Sequence, residues 1–359
     1  MMEIRKILEQ YGIDAAFVPK GNGHINDTYI SADGNYILQR VNTDIFTSPE
    51  ELMENVAFVT EYLREKIRQE GGDPSRETLE IVKTKDGRNY VAAEDGFFRV
   101  YKNVRDSITI EPEDATLPDL YEAGAGFGHF QKQLADFDVA RLHETIPHFH
   151  NTEKRFMDFE RALLKDAAGR RDQAMTEIGF VLALASDASR VLEGIRSEKI
   201  PVCVTHNDTK INNILFDKDT RKALCVIDLD TIMPGSRLYD FGDALRIGAS
   251  TAAEDERNLT RVHLDTNAFR AFSRGYLSEM GGLLTKTEKQ LLPFSVKLMC
   301  YECGMRFLTD FLEGDVYFKT DYPEHNLVRA RTQFKMVQEA EQKEQEMYRI
   351  IQEILRENA

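Results

Sequence analysis

Apolar residues change their spacing once along this chain, near Val104. Between Ala16 and Lys102, short apolar runs alternate with turn residues. Phe17-Val18 runs into Gly21-Asn22-Gly23, Tyr29-Ile30 into Asp33-Gly34, and Tyr36-Ile37-Leu38 follows. Runs bounded in this way read as strands joined by tight turns. One helix interrupts them. Ser48 is suited to an N-cap, Pro49 to the first turn and Glu51 to a capping box, and Leu52, Val56, Val59 and Leu63 recur at helical spacing. Leu79–Val82, Tyr90–Ala93 and Phe98–Tyr101, separated by Asp86-Gly87 and Asp95-Gly96, continue as a strand meander.

Beyond Val104 the spacing becomes helical. It predicts helices over Leu117–Phe137, Glu153–Asp166, Gln173–Ser197, Asp265–Met280 and Leu291–Leu312, and a charged one from Asn326 onward. Two strand-like runs, Val202–Thr205 and Ala223–Ile227, break the pattern. The expected class is therefore α+β, with a small β-rich lobe over residues 1–103 and a large, mostly helical lobe over 104–359. Such a plan fixes no function by itself.

Charge narrows the partners. The 359 residues carry a formal net charge of −15, so general attraction to nucleic-acid phosphates or anionic membranes is not expected. No window approaches 18 consecutive apolar residues, and MMEIRKILEQ lacks the apolar centre of a signal peptide. Four cysteines, Cys203, Cys225, Cys300 and Cys303, do not make a disulfide framework in a chain of this length. A cytoplasmic chain, monomeric or weakly dimeric, is the expectation.

The chemistry concentrates in His206-Asn207-Asp208-Thr209-Lys210-Ile211-Asn212-Asn213, which follows one apolar strand, and in Asp228, which ends the next. This resembles the catalytic loop of protein kinases and aminoglycoside-phosphotransferase-like enzymes, H-x-D-x-x-x-x-N followed by a strand ending in a metal-binding Asp. The resemblance implies the two-lobed protein-kinase-like fold, with a nucleotide-binding N-terminal lobe and a catalytic, substrate-binding C-terminal lobe. Phosphoryl transfer needs positioning and charge neutralisation more than covalent chemistry. On this reading Asp208 takes the proton of the attacking hydroxyl and Lys210 steadies charge on the moving phosphoryl group. Asn213 and Asp228 offer the oxygen ligands that Mg²⁺ prefers. The later run Gly235-Ser236-Arg237-Leu238-Tyr239-Asp240 also resembles that family, where the Asp supports the loop.

ATP would be held by the first lobe. Gly21-Asn22-Gly23-His24 lies where kinases place a phosphate-covering loop. The strand Tyr36-Ile37-Leu38-Gln39-Arg40 lies where they carry a phosphate-pairing Lys, which is missing here. Gln39 or Arg40 must substitute, and strand alternation puts them on opposite faces. Arg40 has the charge, and Glu54 is the helical acid to pair with it. Phe98–Lys102, including Tyr101, is the expected hinge segment beside adenine.

The strings GHINDTYI, YILQRVN, HNDTKINNIL, IDLDTIMPGS, DFGD, ECGMRFL and YPEHNLVR lie between Gly21 and Arg329. They resemble those of bacterial N-acetylhexosamine 1-kinases. The resemblance implies ATP- and Mg²⁺-dependent phosphorylation of the anomeric hydroxyl of N-acetylglucosamine or N-acetylgalactosamine. His24, Asp208, Arg306 and Tyr317 are the implied sugar contacts. A kinase of aminoglycosides, choline or homoserine is the rival within the fold, and a nucleotide-binding pseudokinase the rival outside catalysis.

Three other patterns carry blander readings. Cys300-x-x-Cys303 sits in a helical stretch without a second pair and reads as packing. Gly124, Gly126 and Gly128 suit close helix packing. His148-x-His150 has no evident third metal ligand and reads as a loop or surface pair.

Overall fold

A computed structural model describes residues 2–20 and 26–358 of the chain. In chain order its elements begin with helix α1 (Met2–Tyr11), strands β1 (Phe17–Pro19), β2 (Asp27–Ser31) and β3 (Tyr36–Val41), and helix α2 (Pro49–Glu70). Strands β4 (Val91–Ala93), β5 (Gly96–Lys102) and β6 (Ser107–Ile108) follow, then helices α3 (Leu117–Gln133), α4 (Thr152–Lys165), α5 (Met175–Ala183) and α6 (Arg190–Arg196). Strands β7 (Cys203–Thr205), β8 (Ile214–Asp217) and β9 (Ala223–Val226) precede helices α7 (Arg237–Gly248), α8 (Thr266–Met280), α9 (Lys286–Glu313) and α10 (His325–Glu357). The β-rich beginning and helical remainder match the change in apolar spacing.

The chain divides into two compact units. The first gathers residues 1–109, 133–147 and 213–234. Its main sheet has the order β1-β2-β3-β5-β4, and every neighbouring pair is antiparallel. Leu38 and Val100 face each other across β3 and β5 and are fully buried, packing with Ile7, Leu8 and Tyr11 of α1. The Tyr11 hydroxyl donates to the Phe98 carbonyl at 3.0 Å, so the phenol is buried without losing its hydrogen bond. α2 begins at Pro49, but Ser48 makes no capping hydrogen bond, because its ψ of 67° departs from the extended geometry a capping Ser adopts. Gly71 ends α2 at φ 82°, a left-handed conformation that favours glycine. The expected strand over Leu79–Val82 reduces to one bridge, Ile81 opposite Tyr101. A smaller sheet of order β6-β8-β9 completes the unit.

The second unit gathers residues 110–132, 148–212 and 235–359 and is almost wholly helical. Its centre is α9, buried along most of its length and packed by α4, α7 and α10. Thr285 and Glu288 form a reciprocal capping box at its start, at 3.1 and 2.7 Å. α7 reaches α9 closely at Gly242, where a Cβ would stand 2.3 Å from the Ser295 carbonyl oxygen. At Gly124 a Cβ would stand 2.1 Å from the Phe272 carbonyl oxygen, as the close-packing reading of that glycine run requires. The single helix expected over Gln173–Ser197 is instead α5 and α6 with a 3₁₀ turn, Ala185–Ser189, between them. No helix among the described residues is long and apolar enough to cross a membrane.

Candidate active site

In the second unit, β7 delivers the chain into a buried loop. The backbone N–H groups of His206 and Asn207 donate to the Asp240 carboxylate at 2.9 and 2.8 Å. Gln131 Nε2 donates to the same group at 2.6 Å, and its own oxygen accepts from the Tyr276 hydroxyl at 2.5 Å. Asp240 stands in the first turn of α7 and is 2% exposed. Burial pushes its carboxyl pKa up, against the pull of His206 and these donors. Thr209 extends the clamp, donating through Oγ1 to the Asp240 carbonyl at 2.6 Å and through N to Asp243 at 3.3 Å. Asn207 has a φ of 66°, a left-handed position that Asn tolerates better than most residues.

Asp208 follows this fixed turn. Its N–H donates to His206 Nδ1 at 3.2 Å, so His206 braces the loop from within, its ring edge-on to Phe127 and Phe130. Lys210 Nζ lies 2.9 Å from Asp208 Oδ1, and both side chains are partly open to solvent. Burial works against the Lys210 charge, but Asp208 beside it outweighs that and raises the pKa. The pair is thus a carboxylate and an ammonium in mutual reach, on a backbone held by α7.

The first unit positions Asn213 and Asp228. β8 and β9 pair with Ile214 opposite Val226, and Ile227 N donates to the Asn213 carbonyl at 2.9 Å. Both residues therefore emerge at the same end of this hairpin. Asp228 has φ 58°, and the chain then turns through Leu229–Thr231. An amide oxygen and a carboxylate at one hairpin end form a hard-oxygen donor set suited to Mg²⁺.

Gln39 meets a buried guanidinium that the sequence did not single out. Arg99 on β5 stands opposite Gln39 on β3, and its Nε and Nη2 donate to Gln39 Oε1 at 3.0 and 2.8 Å. Its Nη1 lies 2.5 Å from Asp230. Asn26 Nδ2 donates to the other Asp230 oxygen at 2.7 Å, and Asn26 Oδ1 accepts from Asn42 N at 3.0 Å. Burial disfavours the guanidinium charge, but Asp230, Tyr101 and Asp228 raise the Arg99 pKa above its ordinary value. Tyr101 is buried, its ring 5.2 Å below the Arg99 guanidinium, and burial raises its phenol pKa. Arg40 points to the other face, exposed and 3.7 Å from Asp27. Glu54 pairs with His143 at 2.7 Å rather than with Arg40, because α2 turns that residue toward the 133–147 segment. Gly21, Gly23 and His24 lie outside the described residues.

Arg306 on α9 is framed by aromatic rings. Its guanidinium carbon lies 5.5, 5.8 and 5.5 Å from the ring centres of Phe149, Tyr317 and Phe318. Tyr317 is 62% exposed, so it is not core packing. Its segment is fixed through the backbone instead, with the N–H groups of Val316, Tyr317 and Phe318 all donating to Asp310 at 2.8 to 2.9 Å. His150 lies in a turn, as the loop reading expected, but not at the surface. It is buried, with Nδ1 2.7 Å from Glu302, because α9 brings a buried carboxylate that needs a partner.

Three solved structures share the fold. The microcompartment-associated aminopropanol kinase is 17% identical, with a TM-score of 0.61 over 97% of this chain and 98% of that one. The streptomycin–ATP ternary complex of APH(2")-IIa is 15% identical, with a TM-score of 0.55 over 96% and 97%. An ethanolamine kinase from Plasmodium vivax is 15% identical, with a TM-score of 0.54 over 89% and 82%. These likenesses establish a kinase-like fold for the chain. Residues 17–276, which include the Asp208 loop, Asn213, Asp228 and Asp240, match the APH description, and the chain belongs to the phosphotransferase enzyme family.

Proposed function

We propose that this phosphotransferase is an ATP- and Mg²⁺-dependent anomeric kinase of N-acetylhexosamines. The observation that carries the reading is the Asp208–Lys210 pair at 2.9 Å, on a loop whose backbone is clamped by Asp240. In the reaction the anomeric oxygen bonds to the γ-phosphorus of ATP, the bond from that phosphorus to ADP breaks, and the hydroxyl proton passes to Asp208. Lys210 orients Asp208 until then, and its charge serves the moving phosphoryl group. Asn213 and Asp228 would hold Mg²⁺, which supplies charge neutralisation at the phosphates. Residues 1–103 would serve the nucleotide, with Gly21 and Gly23 at its phosphates, Gln39 on the network side of β3 and Tyr101 near the adenine segment.

Arg306 and Tyr317 would hold the sugar; His24, also proposed as a sugar contact, lies outside the described residues. A guanidinium framed by aromatic rings suits a neutral polyhydroxyl acceptor, which stacks and hydrogen-bonds, better than it suits an amine. The amino-alcohol kinases of the same fold supply the second reading, an amine-bearing acceptor.

The test is ADP release with ATP and Mg²⁺ against N-acetylglucosamine, N-acetylgalactosamine, glucose, galactose, choline, homoserine, ethanolamine, aminopropanol and kanamycin. Release driven by the N-acetylhexosamines, with an acid-labile and alkali-stable sugar phosphate, supports the proposal. Release driven only by an amine acceptor replaces it with the second reading, and no release with any acceptor favours a pseudokinase.

A further inference from the structure

We propose that the buried His150–Glu302 pair is a positioning device that ties Arg306, on the acceptor side, to the backbone of the loop carrying Asp208. The inference rests on the roles given above to Asp208 and Arg306.

Glu302 lies near the middle of α9 with a side chain 1% exposed. A carboxylate so placed must be paired and hydrogen-bonded. His150 Nδ1 is 2.7 Å from one oxygen, and Thr152 Oγ1 donates to the other at 2.5 Å. Burial pushes the Glu302 carboxyl pKa up, but His150, Thr152 and Arg306 together hold it below the usual range. Arg306 follows four residues later, on the same face of α9.

His150 faces two acceptors. Its second nitrogen, Nε2, lies 3.4 Å from the Asn207 carbonyl oxygen. Asn207 is the left-handed residue immediately before Asp208. Its N–H is taken by Asp240 and its carbonyl faces His150, so this unfavourable backbone conformation is held from both sides. Phe149 closes the connection, its ring 4.6 Å from the His150 ring and 5.5 Å from the Arg306 guanidinium. A shift of Arg306 on binding the acceptor therefore reaches the peptide that orients Asp208 through two packed rings. A double-mutant cycle measures this coupling.

The experiment uses the full chain with H150N, H150Q, R306Q and the double variant H150N/R306Q, and the acceptor that drives most ADP release. Asn in place of His150 can keep the Nδ1-like donor to Glu302 but cannot reach Asn207. H150N should therefore stay folded, with a melting temperature near wild type, while kcat falls about tenfold or more at unchanged KM for ATP. H150Q keeps the longer reach but loses the carboxylate, and should be slow as well. The losses in kcat/KM from H150N and R306Q should fall short of multiplying in the double variant by about fivefold. Wild-type kcat in H150N, or strictly multiplicative losses, would overturn the proposal. If the wild type uses no acceptor in the panel, it is the functional reading that fails. The coupling is then read from amide chemical shifts: R306Q should move Asn207 and Asp208 in the wild-type background and leave them in place in H150N, and equal shifts in both backgrounds would sink it.

Discussion

Arg99 Nη1 lies 2.5 Å from Asp230, and the two side chains are 1% and 3% exposed. Gln39 and Asn26 satisfy further positions of the same pair. Leaving one partner of such a pair alone strands a buried charge, which costs more than the pair contributes. R99M and D230N should each destabilise the protein by about 3–5 kcal/mol, whereas R99M/D230L should lose less than the sum of the two single changes. Denaturant midpoints check this, and a D230N protein as stable as wild type would contradict it.

Asp208 has Lys210 at 2.9 Å and a backbone held by neighbours that do not depend on its charge. D208N should therefore keep the fold and lower kcat by about 10²–10⁴-fold, the range for loss of a positioned proton acceptor. Steady-state kinetics beside a thermal melt separate the two effects. Near-normal turnover would remove Asp208 from the mechanism.

Asp228 sits in a left-handed turn directly after β9, at the hairpin end it shares with Asn213. Losing even an indirect support of a metal ligand commonly costs 10–100-fold in affinity, so D228N should raise the Mg²⁺ needed for half-maximal activity by about tenfold or more. The check is a Mg²⁺ titration at fixed ATP; an unchanged titration would argue against this ligand.

Arg306 lies 5.5 to 5.8 Å from the ring centres of Phe149, Tyr317 and Phe318 in the helical unit, far in sequence from Gly21 and Gly23. R306A should raise the acceptor KM by about 10–100-fold, the loss of a charged hydrogen bond, with the ATP KM within about twofold. A change confined to the ATP KM would reassign the residue to the nucleotide.

Glu339 on α10 accepts from Lys335 and Lys343 at 2.7 and 2.9 Å, and His263 lies 3.5 Å away. Burial alone would raise its pKa, but the two ammonium groups win and hold the carboxyl at about 2. A depressed carboxyl contributes stability that is complete above its unfolded pKa and is lost as pH falls through the folded one. E339Q should thus be less stable than wild type by about 1 kcal/mol at pH 7, a gap that closes as the pH falls from about 4.5 to 2. Melts across that interval give the answer, and a gap that widened toward acid would reverse the sign.

Local signals were legible wherever neighbours in sequence are neighbours in space. The strand, loop and strand around His206–Asn213 follow from a short apolar run, a polar turn and another short apolar run. The long helices follow from their spacing, and α9 opens on the Thr285–Glu288 capping box. Two helices escaped notice, α1 and α7. The first is a short run at the beginning of the chain, and the second is buried almost throughout, so it shows little polar face to mark its period. Extended character over Leu79–Val82 was visible too, but not that it would find only a bridge, since a strand needs a partner whose position is not local.

The sequence by itself determined most of the long helices and strand runs, the spacing of Asp208, Lys210, Asn213 and Asp228, and that Gln39 and Arg40 must face opposite ways. Tertiary structure decided which of the two joins the buried network. Register set Gln39 opposite Arg99, and the 213–234 segment, packing with residues 1–109, brought Asp230 to the guanidinium. The same holds for His150, whose partner Glu302 arrives on a distant helix. A buried charge is tolerated only where folding supplies its counter-charge, and sequence separation says nothing about which one that will be.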